Sequence, residues 1–227
     1  MSEENPWLAI WVRPRDTIRS IIAENPRRFL WVLAFIYGFT SLLNGFQSFP
    51  IALQMGMMPV LLISLIIAPL WGYAFFAIWS WVVVWVGKIL KGQANFETAR
   101  AAYAWSCVPL VGNIPLWLLL VFFYSRFLFY GMQDQVVMPG AAMMLFIILI
   151  AKLVFAIWSV VIYLQMLAEV QQFSILRAIA NVILASLVIG IVTAVIWSIA
   201  IYVYMSALTP HVAVDSHSME WFVQFIK

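Results

Sequence analysis

Lys152 is the residue whose type and setting most invite a chemical role, because it stands inside the otherwise uncharged apolar run from Ala141 to Ala168. It lies about twelve residues into that run, which at ~1.5 Å per residue is about 18 Å from one end, near the middle of a bilayer core about 30 Å thick. No carboxylate occupies that depth in any other apolar run, leaving carbonyls or polar groups such as Asn44, Tyr37 and Ser159 as neighbours. An ionisable group so placed is costly: it either serves a substrate or proton, or it snorkels and pairs structurally. A second feature is the stretch Pro109-Leu110-Val111-Gly112-Asn113-Ile114-Pro115. It cannot be regular helix throughout, since Pro115 removes the hydrogen bond to position 111, and freed backbone in a membrane must line a cavity or meet a partner. Lys152, Asn113, Pro109 and Pro115 are therefore the candidate intramembrane polar site.

Other chemistry is excluded by inventory. The histidines, His211 and His217, lie in the tail after the last apolar run, at a spacing that suits neither one helical face nor a usual zinc-ligand pair, and there is no HExxH. The lone cysteine, Cys107, falls near the opposite membrane face from them, so no Cys-His dyad can form. Gly87, Gly92, Lys88 and Lys91 lack phosphate-loop spacing. Arg126 sits within a turn or two of Gly131, where it can snorkel or meet Asp134, as an interface residue. No catalytic residue, cofactor or metal site is expected, and no nucleic-acid contact.

The elements that hold these residues follow from composition. Apolar residues make up 66% of 227 positions and charged residues 9%, with a mean hydropathy of +1.02, whereas a soluble domain carries about 25% charged residues. The expected fold is an all-α polytopic membrane protein of about five transmembrane helices. The expected spans run from Phe29 to Phe46, Val60 to Val86, Pro109 to Tyr130, Ala141 to Ala168 and Ala178 to Leu208. Residues 1–28 form a basic segment without a cleavable leader pattern, so the mature chain is expected to begin at Met1, and residues 209–227 form an amphipathic tail on the outer face.

Basic residues set the orientation. Arg13, Arg15, Arg19, Arg27 and Arg28 precede the first span, Lys88, Lys91 and Arg100 separate the second and third, and Arg177 separates the fourth and fifth. All fall on one side, which predicts a cytoplasmic N-terminus and an outer C-terminus. Three stretches are expected to lie in the interface. The first carries Trp7, Ile10, Trp11, Ile18, Ile21 and Ile22 on one face, with Arg13, Arg15 and Arg19 set against anionic lipid. The second follows an Asn95 N-cap with Phe96, Ala99 and Tyr103, and the third carries Met219, Phe222, Phe225 and Ile226.

Phe76-Ala77-Ile78-Trp79-Ser80 recurs as Phe155-Ala156-Ile157-Trp158-Ser159. Each copy is followed by a Phe-x-x-x-Arg-Ala pattern, at Phe96, Arg100 and Ala101 and at Phe173, Arg177 and Ala178. A parallel duplication of residues 60–130 and 141–208 explains this, with chance similarity between Trp-rich helices as the alternative.

Asn5-Pro6-Trp7, Arg13-Pro14-Arg15-Asp16-Thr17-Ile18, the turn Gly92-Gln93-Ala94-Asn95-Phe96 running into Arg100, Tyr103 and Pro109, and Glu169-Val170-Gln171-Gln172-Phe173-Ser174 before Arg177-Ala178 together resemble the Yip family of five-span membrane proteins, named for binding Ypt/Rab GTPases. The resemblance covers Asn5 to Leu208 and implies a membrane-organising or trafficking protein rather than an enzyme, with a cytosolic N-terminus and a luminal or periplasmic C-terminus. Eukaryotic members link a long N-terminal region to partner binding, and residues 1–28 here depart from that, which points to a prokaryotic inner-membrane member. The expected function is a scaffold or adaptor that contacts partners or anionic lipid through Arg13, Arg15, Arg19, Phe96, Arg100, Phe173 and Arg177. The alternative is a small-solute or ion transporter built on the Lys152 site.

Overall fold

A computed structural model describes residues 5–48, 56–130 and 139–208. Its elements are α1 (Pro6–Ala9), α2 (Pro14–Glu24), α3 (Leu30–Ser48), α4 (Met57–Ile89), α5 (Phe96–Ser106), a 3₁₀ turn (Val108–Gly112), α6 (Asn113–Tyr130), α7 (Pro139–Gln171) and α8 (Ile175–Leu208). Among the described residues four passages are long and apolar enough to cross a membrane, Met57–Ile89, Phe96–Tyr124, Gly140–Gln171 and Ile175–Ser206, and Leu30–Phe46 is a shorter apolar helix. The protein is an all-helical polytopic membrane protein. Ile66, Trp81, Phe122 and Ile147 face outward, as side chains solvated by acyl chains can. The tail stripe from Met219, both histidines and residues 49–55 lie outside the described residues.

Contacts divide the chain into two units, Met1–Ala185 and Ser186–Lys227. The described part of the second is the far stretch of α8. There Ser198 and Ser206 donate their hydroxyls to the Ala194 and Val203 carbonyls of their own helix, which spares hydrocarbon an unpaired donor.

In the first unit α3 and α4 make the closest crossing. A Cβ on Gly38 would overlap the Ala68 carbonyl, and one on Gly72 would overlap the Ala34 carbonyl, so the two backbones touch. Between apolar helices in lipid, tight packing of small residues supplies the attraction that water supplies elsewhere.

Two segments expected at the interface are instead packed into the bundle. The third membrane passage begins at Phe96 rather than Pro109, and α5 is its first half. Asn95 caps it, as the sequence suggests, and the structure adds a reciprocal bond with Thr98. Ala99, Ala101, Ala102 and Ala104 are small enough to bring α5 against α4 and α7, and Trp105 is fully buried. The passage then breaks into the 3₁₀ turn, because neither Pro109 nor Pro115 can donate to a continuous ladder. In the basic N-terminal segment, Ile10, Ile18 and Ile21 are buried against the bundle, Trp7 packs at 5.5 Å from Trp105, and α2 lies along α7 and α5. An apolar helical stripe reads the same in sequence whether lipid or protein covers it.

α4 and α7 end alike. Lys91 and Gln172 both take the left-handed conformation, with φ of 66° and 55°. Gly92 and Phe173 each donate their N–H to the carbonyl five residues back, Gly87 at 2.7 Å and Ala168 at 2.8 Å. Lys91 and Gln172 donate to Lys88 and Glu169. These are paired Schellman ends.

Candidate functional site

A cavity of about 440 Å³ lies within the first unit, lined by Tyr37, Thr40, Ser41 and Asn44 of α3, Leu110 and Asn113 of the broken passage, and Lys152, Leu153 and Ala156 of α7. The α3 residues recur at one helical face, which makes them a polar stripe in an otherwise apolar helix. Asn113 opens α6 directly after the 3₁₀ turn, so the proline break places its side chain here. One turn later on the same face, the Trp117 ring holds the Lys152 ammonium 3.6 Å from its centroid, a cation–π contact. Asn113 is only 7% exposed, and its Oδ1 has no hydrogen-bond partner. Thr40 donates to the Ile36 and Tyr37 carbonyls, and Tyr103 donates weakly to Tyr37 across 3.5 Å. Asn44, Leu153 and Ala156 are exposed, so the cavity opens on the flank of the bundle. Of the residues singled out from sequence, Lys152 and Asn113 meet here with Tyr37 and Asn44. Pro109 is buried, Pro115 is exposed and neither lines the cavity, so both act on the backbone path rather than in its wall. Ser159 is elsewhere, donating to the Ser106 carbonyl at 2.7 Å. Thr40, Ser41 and Trp117 were missed; helical spacing of Tyr37, Thr40, Ser41 and Asn44 is the signal that finds the four wall positions on α3.

The second candidate region is the end of the bundle that bears the two Schellman turns. Gln171, 1% exposed, clamps them together. Its Oε1 accepts the Ala94 N–H at 3.2 Å, and its carbonyl accepts the Gln93 N–H at 3.2 Å. Arg19 of α2 reaches Glu169 with a 2.7 Å hydrogen bond, Arg27 pairs with Glu97, and Arg28 pairs with Glu24 at 2.6 Å. Those partner carboxylates raise the pKa of Arg19 and Arg27 above the ordinary guanidinium value, chiefly through the hydrogen bond.

The matched Phe-x-x-x-Arg-Ala patterns are not structurally equivalent. Phe96 follows the Asn95 cap and opens α5, whereas Phe173 precedes Ser174, whose hydroxyl caps α8. Arg100 consequently turns inward, 5% exposed, donating to the Tyr73 hydroxyl at 2.9 Å and lying 4.9 Å from the Phe96 ring centroid. Phe173 is buried, while Arg177 is exposed. Arg13, Arg15, Lys88 and Lys91 are also exposed. Arg126 is in α6, and its side chain lies outside the described residues.

Comparison with curated proteins and with solved structures finds no match. A family model described as the Yip1 domain matches residues 8–209, which takes in α2, both turns, the cavity and all five apolar helices. The chain belongs to the Yip family.

Proposed function

We propose that this Yip-family protein is a non-enzymatic membrane adaptor whose turn-bearing end, facing the cytoplasm of a prokaryotic inner membrane, recruits acidic partners or anionic lipid. The observation that carries this is a group of exposed basic side chains on the end of the bundle where the two turns are joined by hydrogen bonds. The Gln171 clamp and the Arg19 and Arg27 ion pairs fix the end of the bundle, while Arg15, Lys88, Lys91 and Arg177 remain exposed with no ion pair among the described residues. A basic surface of this kind attracts acidic partners and anionic headgroups electrostatically. Arg100 and Phe173 serve by holding the turns from within. Replacing Arg15, Lys88, Lys91 and Arg177 together by Gln should remove partners captured by cross-linking in native membranes, with an unchanged gel-filtration profile. An identical set of captured partners would count against the adaptor.

A small-solute or ion transporter is the second reading, favoured by the Lys152 cavity beside a broken helix. Lys152→Met should then abolish flux into proteoliposomes at normal expression, and unaltered flux would reject it.

A further inference from the structure

We infer that the last turns of α4 stand clear of the hydrocarbon and form a docking face for an acidic amphipathic helix of a cytosolic partner. That helix is seated on Ile78, Trp81, Trp85 and Ile89, with Lys88 and Lys91 at its edge. The inference rests on the adaptor reading and narrows it, because it removes the protein's own leaflet as what those two lysines bind.

Height follows from α3. Arg27 and Arg28 precede it, and its 19 residues reach about 28 Å, barely the ~30 Å of a bilayer core, so hydrocarbon begins at its first turn. The contacts of Gly38 with Ala68 and of Gly72 with Ala34 fix its register on α4: four residues along one helix match four residues back along the other. Leu30 is thereby level with Phe76, and both lie in one buried cluster. Residues 77–89 of α4 run on past that level for about 20 Å. The ends of α4 and α7 are joined through Gln171, and α2 is tied there by Arg19 and Glu169. On α2, Arg13, Arg15, Asp16, Arg19 and Glu24 are exposed. Five such charges cost more in hydrocarbon than a stripe of apolar side chains costs in water, so the charges decide the level and this end projects.

Headgroups extend about 5–7 Å beyond the core, which leaves Lys88 and Lys91 further above them than the ~8 Å Debye length at physiological salt. The two lysines are therefore read from the cytosol. Ile78, Trp81, Trp85 and Ile89 recur at helical spacing on one face of the same projecting turns, each at least half exposed. In lipid such a stripe needs no partner; in water it marks an interaction face. No carboxylate occurs between Met57 and Phe96, so the face is apolar with a basic edge. Its complement is a helix with apolar side chains on one side and Asp or Glu beside them. An apposed membrane would meet the turns and leave the side of α4 uncovered.

The test uses the full-length protein in zwitterionic nanodiscs. Trp81→Cys, Ile89→Cys and Ile66→Cys are each treated with a membrane-impermeant maleimide, the native Cys107 being buried. The first two should react at least about tenfold faster than the third, which lies within the level spanned by α3. Equal rates would put the stripe in lipid and overturn the inference, while the adaptor reading would still stand on its own cross-linking test. The probe for the face is a synthetic amphipathic helix of leucine and glutamate, compared with a leucine and lysine twin by fluorescence anisotropy, with empty nanodiscs subtracted. The acidic peptide should bind at least about tenfold more tightly than its twin. Trp81→Ser with Trp85→Ser should weaken it about tenfold or more, and Lys88→Gln with Lys91→Gln several-fold, with circular dichroism and gel filtration unchanged. Equal affinity for the two peptides, or binding unaltered in the tryptophan variant, overturns the docking face. So does a dimer in native mass spectrometry that the tryptophan variant abolishes, which would seat a second copy on the stripe. Capture of anionic vesicles that needs the lysines but not the tryptophans would assign the lysines to an apposed membrane and likewise overturn it.

Discussion

Gly87 and Gln171 offer a double-mutant cycle in which one substitution should change sign with its background. Gly87 lies near the end of α4, and a Cβ there would overlap the Gln171 side-chain amide and nothing else as closely. That amide is the far end of a flexible side chain, so it can move aside, but moving it abandons the Ala94 N–H. Leaving a buried donor unsatisfied costs about 1–3 kcal/mol, whereas exchanging a helical Gly for Ala stabilises by up to about 1 kcal/mol. Gly87→Ala alone should therefore be neutral to destabilising, by roughly 0–2 kcal/mol. In a Gln171→Ala background the bond is already gone and the space is free. There the same change should stabilise by up to about 1 kcal/mol, giving a coupling energy of about 1–3 kcal/mol. Tryptophan fluorescence followed through reversible unfolding in mixed detergent micelles reads all four proteins. If Gly87→Ala has the same effect in both backgrounds within about 0.5 kcal/mol, the clamp does not bind the turns as described.

The α3–α4 crossing makes a simpler demand. Gly38→Val should prevent the Ala68 contact and lower the thermal midpoint markedly in detergent, while Gly45→Val, where nothing lies within reach of a Cβ, should leave it nearly unchanged; equal midpoints would reject the close crossing. The Arg19 to Glu169 pair should tether α2, so Arg19→Glu should speed hydrogen exchange in Thr17 to Glu24, and Arg19→Glu combined with Glu169→Arg should restore protection. Exchange that ignores both changes would show that apolar packing alone holds α2.

The membrane passages were legible because long apolar runs admit one structure in lipid, and the Asn95 cap because its side chain has a single local use. The place of α5 was not legible. Glu97 and Arg100 give that helix a polar face that reads as surface, and only the fold reveals that Glu97 pairs with Arg27 and that Arg100 donates to the Tyr73 hydroxyl. The duplicated Phe and Arg residues misled for a related reason: identity at matching spacing carries no information about where the cap falls, and Asn95 and Ser174 stand in different registers relative to them. Half of the cavity was legible. Lys152 and Asn113 stood out by cost and by context, but that they share a space depends on the 3₁₀ turn re-aiming α6, which proline positions foretell only as a break.

The docking of α2 imposes an order of events during synthesis. Arg19 precedes Glu169 by 150 residues, which a ribosome adding about 5–20 residues per second takes roughly 8–30 s to cross. Through that interval α2 is made but α7 is not, and the Ile18 and Ile21 stripe has the bilayer surface as its nearest apolar phase. The nascent N-terminal segment should therefore rest on lipid first and pass to protein as α5 and then α7 insert, so that completion of the bundle would also release that patch of membrane surface.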